Sequence, residues 1–258
     1  MEIYQHFRED ERLFIDQVIA WENDVEMRYE RKESDFLNPR EQQIVSAVMG
    51  NNSVLKWGLY GGSENSERKR AVIAPEYEVI SDQDFNVVLL EASYPDKFMT
   101  LEHRDVLGAF MSLGIRREKL GDLIVQDGWI HILAASEISD YICMNFTGVK
   151  KAKVSFEQKP LSSMMESNEV WQSKDATLSS LRLDVVVKEI YGVSRKKAAM
   201  YIEAGHVKVN FKTVESSSFL LEAGDLLSVR GNGRSRVDQI NGMTKKEKYR
   251  VTISKLIG

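Results

Sequence analysis

Cysteine is almost missing: Cys143 is the single one in 258 residues. One thiol allows no intrachain disulfide and no zinc site built from several cysteines. The four histidines are far apart, which argues against a histidine-rich metal centre as well. No apolar run approaches the ~18 residues that a bilayer span requires. The opening MEIYQHFREDERLF is charged where a secretory leader would be apolar, so secretion is not expected. A cytoplasmic protein without metal or cofactor is the expectation. Apolar residues at 43% and charged residues at 29% are ordinary for a globular chain. At roughly 100–200 residues per domain, the length allows one large domain or two to three small ones.

Excess charge of one sign is also lacking on average, with 35 Lys and Arg against 39 Asp and Glu for a net charge of −4. The average hides a partition. From Leu181 onward lie 15 of the basic and 8 of the acidic groups, a net of +7, which leaves 20 against 31, or −11, in the first 180 residues. Local fields act over a Debye length of about 8–10 Å, so a basic module on an acidic body can bind a polyanion that the whole-chain charge would repel. The bland alternative is a tail that is basic by chance.

Phe7, Phe14, Ile15, Val18, Ile19 and Trp21 recur at helical spacing. Asn38-Pro39 opens a second helix that carries Ile44, Val45, Val48 and Met49 on one face and stops at Gly50. Val54–Tyr60 and Ala71–Ala74 are β-prone around a loop that begins Gly61-Gly62. The loop lacks the Gly-Lys-Ser/Thr of a phosphate-binding loop. Its Arg68, Lys69 and Arg70, with Arg116 and Arg117 further on, are secondary candidates for a phosphate backbone. Phe85–Ala92 reads as a strand, Leu101–Leu113 as a helix ending at Gly114, and Leu123–Gln126 with Trp129–Ala134 as a hairpin on Asp127-Gly128. Ser136 is placed as the cap of a helix to Phe146, and Ala152, Val154 and Phe156 alternate as a last strand. The order βαββαβ is ferredoxin-like. RNA-recognition sheets share that topology but carry stacking aromatics on their central strands. Val87–Leu90 has none and the third strand offers only Trp129. The serine-rich stretch to residue 180 reads as a linker. The predicted organisation is therefore α+β: a mainly helical region 1–70, a ferredoxin-like domain 71–160, a linker 161–180 and a basic domain 181–258.

The basic domain carries the sharpest pattern. Ser180 is placed as the cap of a helix Leu181–Ile190 stopped by Gly192, and Ser194 as the cap of a helix Arg195–Ala204 closed by Gly205. Arg195-Lys196-Lys197 puts three cations in a first turn, each opposing the helix dipole by about 0.3–1 kcal/mol unless an anion binds there. Val207, Val209 and Phe211 are expected to face one way, and Lys208, Asn210 and Lys212 the other, toward phosphate. A hairpin at Gly231-Asn232-Gly233 brings Arg230, Arg234 and Arg236 nearby, and all of these cations are expected on one positive surface.

Arg182-Leu183-Asp184, Ser194-Arg195 with Ala198 and Ile202, Gly205-His206-Val207-Lys208-Val209-Asn210 and Gly224-Asp225 together resemble the S4 (αL-type) RNA-binding domain over Leu181 to Val237. Phe211 departs from that pattern, which usually has glycine after the asparagine. With Glu67-Arg68-Lys69-Arg70, His103-Arg104-Asp105, Leu113-Gly114-Ile115-Arg116-Arg117-Glu118 and Gly121-Asp122, nearly the whole chain resembles the YlmH family of bacterial S4-domain proteins. That resemblance implies a monomeric cytoplasmic factor that binds rRNA of the large ribosomal subunit, and tRNA with it, on subunits that still carry peptidyl-tRNA after stalling. It assigns RNA contact to Arg182, Ser194, Arg195, Lys196, Lys197, Lys208, Asn210 and Lys212, to which charge adds Arg234 and Arg236.

Enzymatic alternatives find little support. Arg182-Leu183-Asp184 continues into Val185-Val186-Val187 and lacks a pseudouridine-synthase setting. No glycine-rich turn of a methyltransferase follows Phe85–Ala92, and the body of a tyrosyl-tRNA synthetase is absent. His103-Arg104-Asp105 mimics the kinase tripeptide without its asparagine, so Asp105 reads as a helix-start acid. Cys143 reads as an inert thiol in an apolar helix, and Asp122 as a turn residue with no basic partner in sequence. An RNA-modifying enzyme with an unfamiliar N-terminal active site remains as the alternative function, and a protein–protein adaptor as a third.

Overall fold

Asn38 shows how locally much of the chain is specified. Its side chain accepts from the Arg40 and Glu41 amides while Glu41 returns a bond to the Asn38 amide, a capping box with proline at the first helical position. The computed structural model describes residues 3–50 and 54–257. Helix α1 (Arg12–Arg28), strand β1 (Lys32–Glu33), helix α2 (Pro39–Met49) and strands β2 (Leu55–Tyr60) and β3 (Arg70–Pro75) form the first layer. The sheet order is β1-β3-β2, antiparallel. Ile15, Val18, Trp21 and Val25 of α1 join Ile44, Val45, Val48 and Met49 of α2 in one core with Ala71 and Ile73. The expected boundary after residue 70 thus falls inside this sheet, at the start of its middle strand.

Strand β4 (Val87–Ser93), helix α3 (His103–Met111), strands β5 (Leu120–Gln126) and β6 (Trp129–Ala135) and helix α4 (Ser139–Asn145) follow. Then come a small hairpin, β7 (Gly148–Val149) with β8 (Ala152–Lys153), and strand β9 (Glu157–Lys159). The order β5-β6-β4-β9, antiparallel throughout, is the ferredoxin-like arrangement. Asp127 and Gly128 both have positive φ, 50° and 81°, as a type I′ hairpin requires. The closing strand is displaced from expectation. Val154 and Phe156 are buried in the core, but the pairing with β4 runs through Glu157–Lys159. Ser136 does not cap α4 either; it lies in a short 3-10 turn and its carbonyl accepts from the Ser139 hydroxyl.

Both faces of this four-stranded sheet are covered. Leu90, Ile130 and Ile132 pack with Phe110 and Phe146 from the helices. On the other side Leu89 and Leu133 pack with Phe36, Val72 and Phe85. The face that RNA-recognition sheets leave open is here a protein interior, which accounts for its aliphatic composition.

The chain divides after Glu166, and the second unit is built on one antiparallel sheet of six strands. Its elements are β10 (Val170–Leu178), α5 (Leu183–Tyr191), α6 (Arg195–Glu203), β11 (Val207–Val209), β12 (Lys212–Thr213), β13 (Leu226–Val229), β14 (Gly233–Met243) and β15 (Tyr249–Ile257), in sheet order β10-β15-β14-β13-β11-β12. Val186, Val187, Ile190, Ala198 and Ile202 of the helices pack on Val207, Val209, Leu227, Val229, Val237, Val251 and Ile253. Residues 170–178, expected as part of a linker, pair over nine residues with β15. Only Leu178 of that strand is fully buried, so backbone pairing rather than an apolar pattern holds it.

Two arginines expected at the surface are interior in the first unit. Arg68 is 5% exposed and Arg70 4%. Arg68 donates to the carbonyls of Phe36 (2.8 Å) and Leu120 (3.2 Å), and Asp122 accepts from the amides of Glu67 (2.7 Å) and Arg68 (3.0 Å). Arg70 donates to the Ser34 and Asn86 carbonyls and pairs with Glu33 at 2.8 Å. Arg117 is half-buried against the Leu120 and Gly121 carbonyls, and burial followed by the Arg68 charge pushes its pKa down to about 10. Burial likewise raises the Asp122 carboxyl, against the pull of its two amide bonds and the Arg117 charge. The glycines of the neighbouring loop serve close packing: a Cβ on Gly61 would lie 2.2 Å from the Arg68 carbonyl oxygen. Lys69 reaches the Glu64 carbonyl, and Arg116, 71% exposed, pairs with Asp35. The secondary phosphate site is therefore a structural cluster, with only Lys69 and Arg116 near the surface. Arg68→Met removes the donor from the Phe36 carbonyl and is expected to cost about 2–3 kcal/mol of stability. Urea unfolding monitored by circular dichroism measures this, and an unchanged midpoint would contradict the assignment.

Candidate nucleic-acid interface

The interface is organised by a carboxylate. Asp184, in the first turn of α5, is 3% exposed and binds two arginines: Arg182 Nε at 3.1 Å and Arg195 Nε at 2.8 Å. Burial alone would raise its pKa, but the hydrogen bonds and charges of both guanidinium groups hold it below the usual carboxylate range. The pair ties the start of α5 to the start of α6. Helix α5 begins two residues later than expected. Arg182 is its N-cap, with no side-chain cap, and Ser180 instead accepts from the Arg182 amide. Gly192 ends α5 with φ of 64°, as expected.

Ser194 caps α6 as expected, accepting from the Lys197 amide at 3.2 Å. Arg195, Lys196 and Lys197 occupy the first turn with no acidic residue among them. Arg195 is compensated by Asp184, and the Lys197 ammonium lies 5.7 Å from the Tyr201 ring centroid. Lys196 is exposed. Added to the helix dipole, this turn is a positive end suited to a phosphate.

The strand expected beyond Gly205 is shorter than the sequence suggests. Asn210 and Phe211 both have positive φ, 47° and 69°, and form a two-residue turn between β11 and β12. Lys208 pairs with Thr213 and Val209 with Lys212. Residues directly opposite share a face, so Lys208 and Lys212 point to opposite sides and do not form the expected row. Asn210 is 9% exposed and engaged inside the domain: its Nδ2 donates to Asp225 at 2.7 Å and its Oδ1 accepts from the Leu226 amide at 3.0 Å. It holds the hairpin to the turn before β13 and is withdrawn from phosphate contact. Phe211 sits in a left-handed conformation that glycine adopts freely and other residues at a cost of roughly 1–2 kcal/mol, which explains why its place usually carries glycine.

The remaining cations follow the sheet. Lys208 opposes Ser228, and Ser228 opposes Arg234. Val207 and Val209 face the helices, so Lys208, Arg234 and Arg236 project from the other face of the sheet. The expected single positive surface thus resolves into two groups, one at the α6 N-terminus and one on the outer sheet face. Asp184 and Asp225, which hold these groups in place, were not expected as site residues; a buried acid within a basic sequence was the available signal. The remaining candidates for chemistry are occupied structurally. Asp105 accepts from the Glu102 amide as a helix-start acid, and burial raises the partly buried Cys143 thiol. Among the described residues no cluster of His, Cys, Asp and Glu could hold a metal ion, and no helix is long and apolar enough to cross a membrane.

Two helices with a cationic second N-terminus, packed on an antiparallel sheet with an Asn–Asp-pinned hairpin, define an RNA-binding protein of the S4 class. Residues 181–227 match the S4 domain, and residues 81–163 match the family described as "Putative RNA-binding domain in YlmH". The chain is 41% identical over 254 residues to ribosome-associated protein quality control protein P2 of Bacillus subtilis (strain 168), covering 98% of each. It is 27% identical, with a TM-score of 0.56, to the cell division protein ylmH from Streptococcus pneumoniae, which covers 63% of this chain and 99% of that one. Over 55 residues it is 44% identical to the small ribosomal subunit protein uS4 of Thermoanaerobacter sp. (strain X514), 21% of this chain and 27% of that protein. The chain belongs to the YlmH family of S4-domain proteins.

The Asp184 clamp has a pH signature. A carboxyl depressed on folding contributes stability above its unfolded value of about 3.9, and loses it as pH falls through the folded value. Asp184→Asn is therefore expected to lower stability by about 2 kcal/mol at pH 7, with the gap to wild type closing below about pH 4. Thermal melts from pH 3 to 8 measure it; a gap independent of pH would contradict the clamp.

Proposed function

We propose that this chain is a cytoplasmic, monomeric, non-enzymatic factor that binds structured rRNA of the large ribosomal subunit together with peptidyl-tRNA when translation has stalled. The observation that carries the reading is the first turn of α6, where Lys196 and Lys197 flank a capped helix N-terminus and Asp184 restrains Arg195 beside them. Such a turn binds phosphate through side-chain charge and backbone amides at once. Near-full-length similarity to a protein named for ribosome-associated quality control supports the pathway. The S4 similarity to a ribosomal protein supports rRNA as the ligand class. Function then consists of positioning: the unit grips RNA backbone at a fixed angle and catalyses nothing. RNA contact is assigned to Arg182, Ser194, Arg195, Lys196, Lys197 and Lys212, with Lys208, Arg234 and Arg236 on the outer sheet face.

Lys196→Ala and Lys197→Ala are each expected to weaken RNA binding and to lower the slope of log affinity against log salt by about one unit. Filter binding of 23S rRNA fragments over a KCl series tests this, and equal affinity at every salt concentration would refute the phosphate site. In density gradients of lysate, the wild type is expected to travel with free large subunits and the double variant at the top.

A further inference from the structure

Strand β10 lies outside the S4 match, which ends at residue 227 together with all the elements discussed for phosphate except Arg234 and Arg236. It nevertheless brings an aromatic ring to that side of the sheet. The guanidinium of Arg236 lies 4.7 Å from the Trp171 ring centroid and that of Arg234 5.8 Å from it. The register accounts for the meeting. Arg236 opposes Ser254 on β15, and Ser254 opposes Ser173 on β10, so Arg236, Ser254 and Ser173 share one face. Trp171, two residues before Ser173, stands on that face, as does Arg234, two residues before Arg236. Arg234 in turn opposes Ser228, which opposes Lys208. A continuous track of one face therefore runs from Lys208 on the S4 hairpin, through Arg234 and Arg236, to Trp171.

The acids here do not cancel the track. Asp238 takes the Nε of Arg236, whose side chain stays 45% exposed, and Glu169 lies 3.7 Å from Arg234. Neither the α5 nor the α6 core reaches this side, so the ring is not there to fill an interior. A partly buried indole with guanidinium groups beside it, at the end of a cationic strand face, has the makeup of sites that take single-stranded nucleic acid: a π-face for any base and cations for the adjoining phosphates.

We propose that the outer face of this sheet is a second RNA contact, in which Trp171 stacks on an unpaired nucleobase while Arg234, Arg236 and Lys208 take the flanking phosphates. The proposal rests on the RNA-binding reading of the S4 unit and extends it from backbone gripping to capture of a flipped or single-stranded nucleotide.

The probe is a fluorescent ten-nucleotide oligoadenylate, titrated by anisotropy with the full chain in its wild-type, W171L, W171F, R236Q and K196A forms. W171L is expected to bind roughly 5- to 100-fold more weakly, W171F to recover part of that loss, and R236Q to lower the salt slope by about one unit. An oligouridine carrying 5-iodouridine is expected to crosslink to the peptide containing Trp171. Melting curves check that W171L folds; if it does not, W171F, R236Q and the wild-type crosslink decide. W171L or R236Q affinity within twofold of wild type, with K196A weakened, overturns the stacking site and leaves the S4 reading intact. Unchanged RNA affinity with lost ribosome co-sedimentation assigns the face to a protein and overturns it too. Absence of binding by the wild type to both the oligoadenylate and 23S rRNA fragments removes the RNA-binding reading itself.

Discussion

A single buried carboxylate sets the geometry on which the interface depends. Asp184 holds Arg182 and Arg195 from inside the first turn of α5, and so fixes where α6 begins. Without it, three cations would crowd one helix N-terminus against the dipole, at about 0.3–1 kcal/mol each. With it, one of the three is compensated internally, and the ones that follow project from a helix end whose direction is already decided. The first turn of α6 is thus preorganised in the free chain, and preorganisation lowers the ordering cost of binding an anion at such a turn.

The first unit solves a different problem. Its ferredoxin-like sheet is covered on both faces, by α3 and α4 on one and by the layer around Phe36 and Val72 on the other. A sheet buried twice cannot offer bases a stacking surface. The buried arginines belong to the same solution: Arg68 donates to the Phe36 and Leu120 carbonyls and Arg70 to those of Ser34 and Asn86, joining the layers. A guanidinium suits this place because its fixed fork reaches several acceptors at once.

What the sequence disclosed, and what it hid, follows from where each signal is written. The capping box at Asn38, the Asp127-Gly128 hairpin, the Ser194 cap and the helix-ending Gly192 are local chemistry, and each is legible in a few residues. Strand β10 is not, because only Leu178 of its nine residues is fully buried and its partner β15 lies some seventy residues further on. The burial of Arg68 is hidden because a cation reads as surface until a distant carbonyl claims it. Lys208 and Lys212 look like a row by alternation. Two left-handed residues between them, one of them Phe211 rather than glycine, reverse the second lysine. Stacking by Trp171 depends on a register across three strands, which no local pattern encodes.

The charge partition gains a physical meaning from these details. The first unit's negative balance, read from sequence, includes Arg68 and Arg70, whose charges are held below the surface by carbonyls and by acids such as Glu33. Acids are withdrawn with them, Glu11 against Arg40 among them, so the surface of this unit keeps its negative balance and repels polyanions within a Debye length of about 8–10 Å. In the second unit, cations stand on a helix end and an outer sheet face. A uniformly basic chain would bind any RNA in any pose. A chain whose excess basic charge is gathered in one part admits fewer such poses, and a partition of this kind favours selectivity in orientation over affinity.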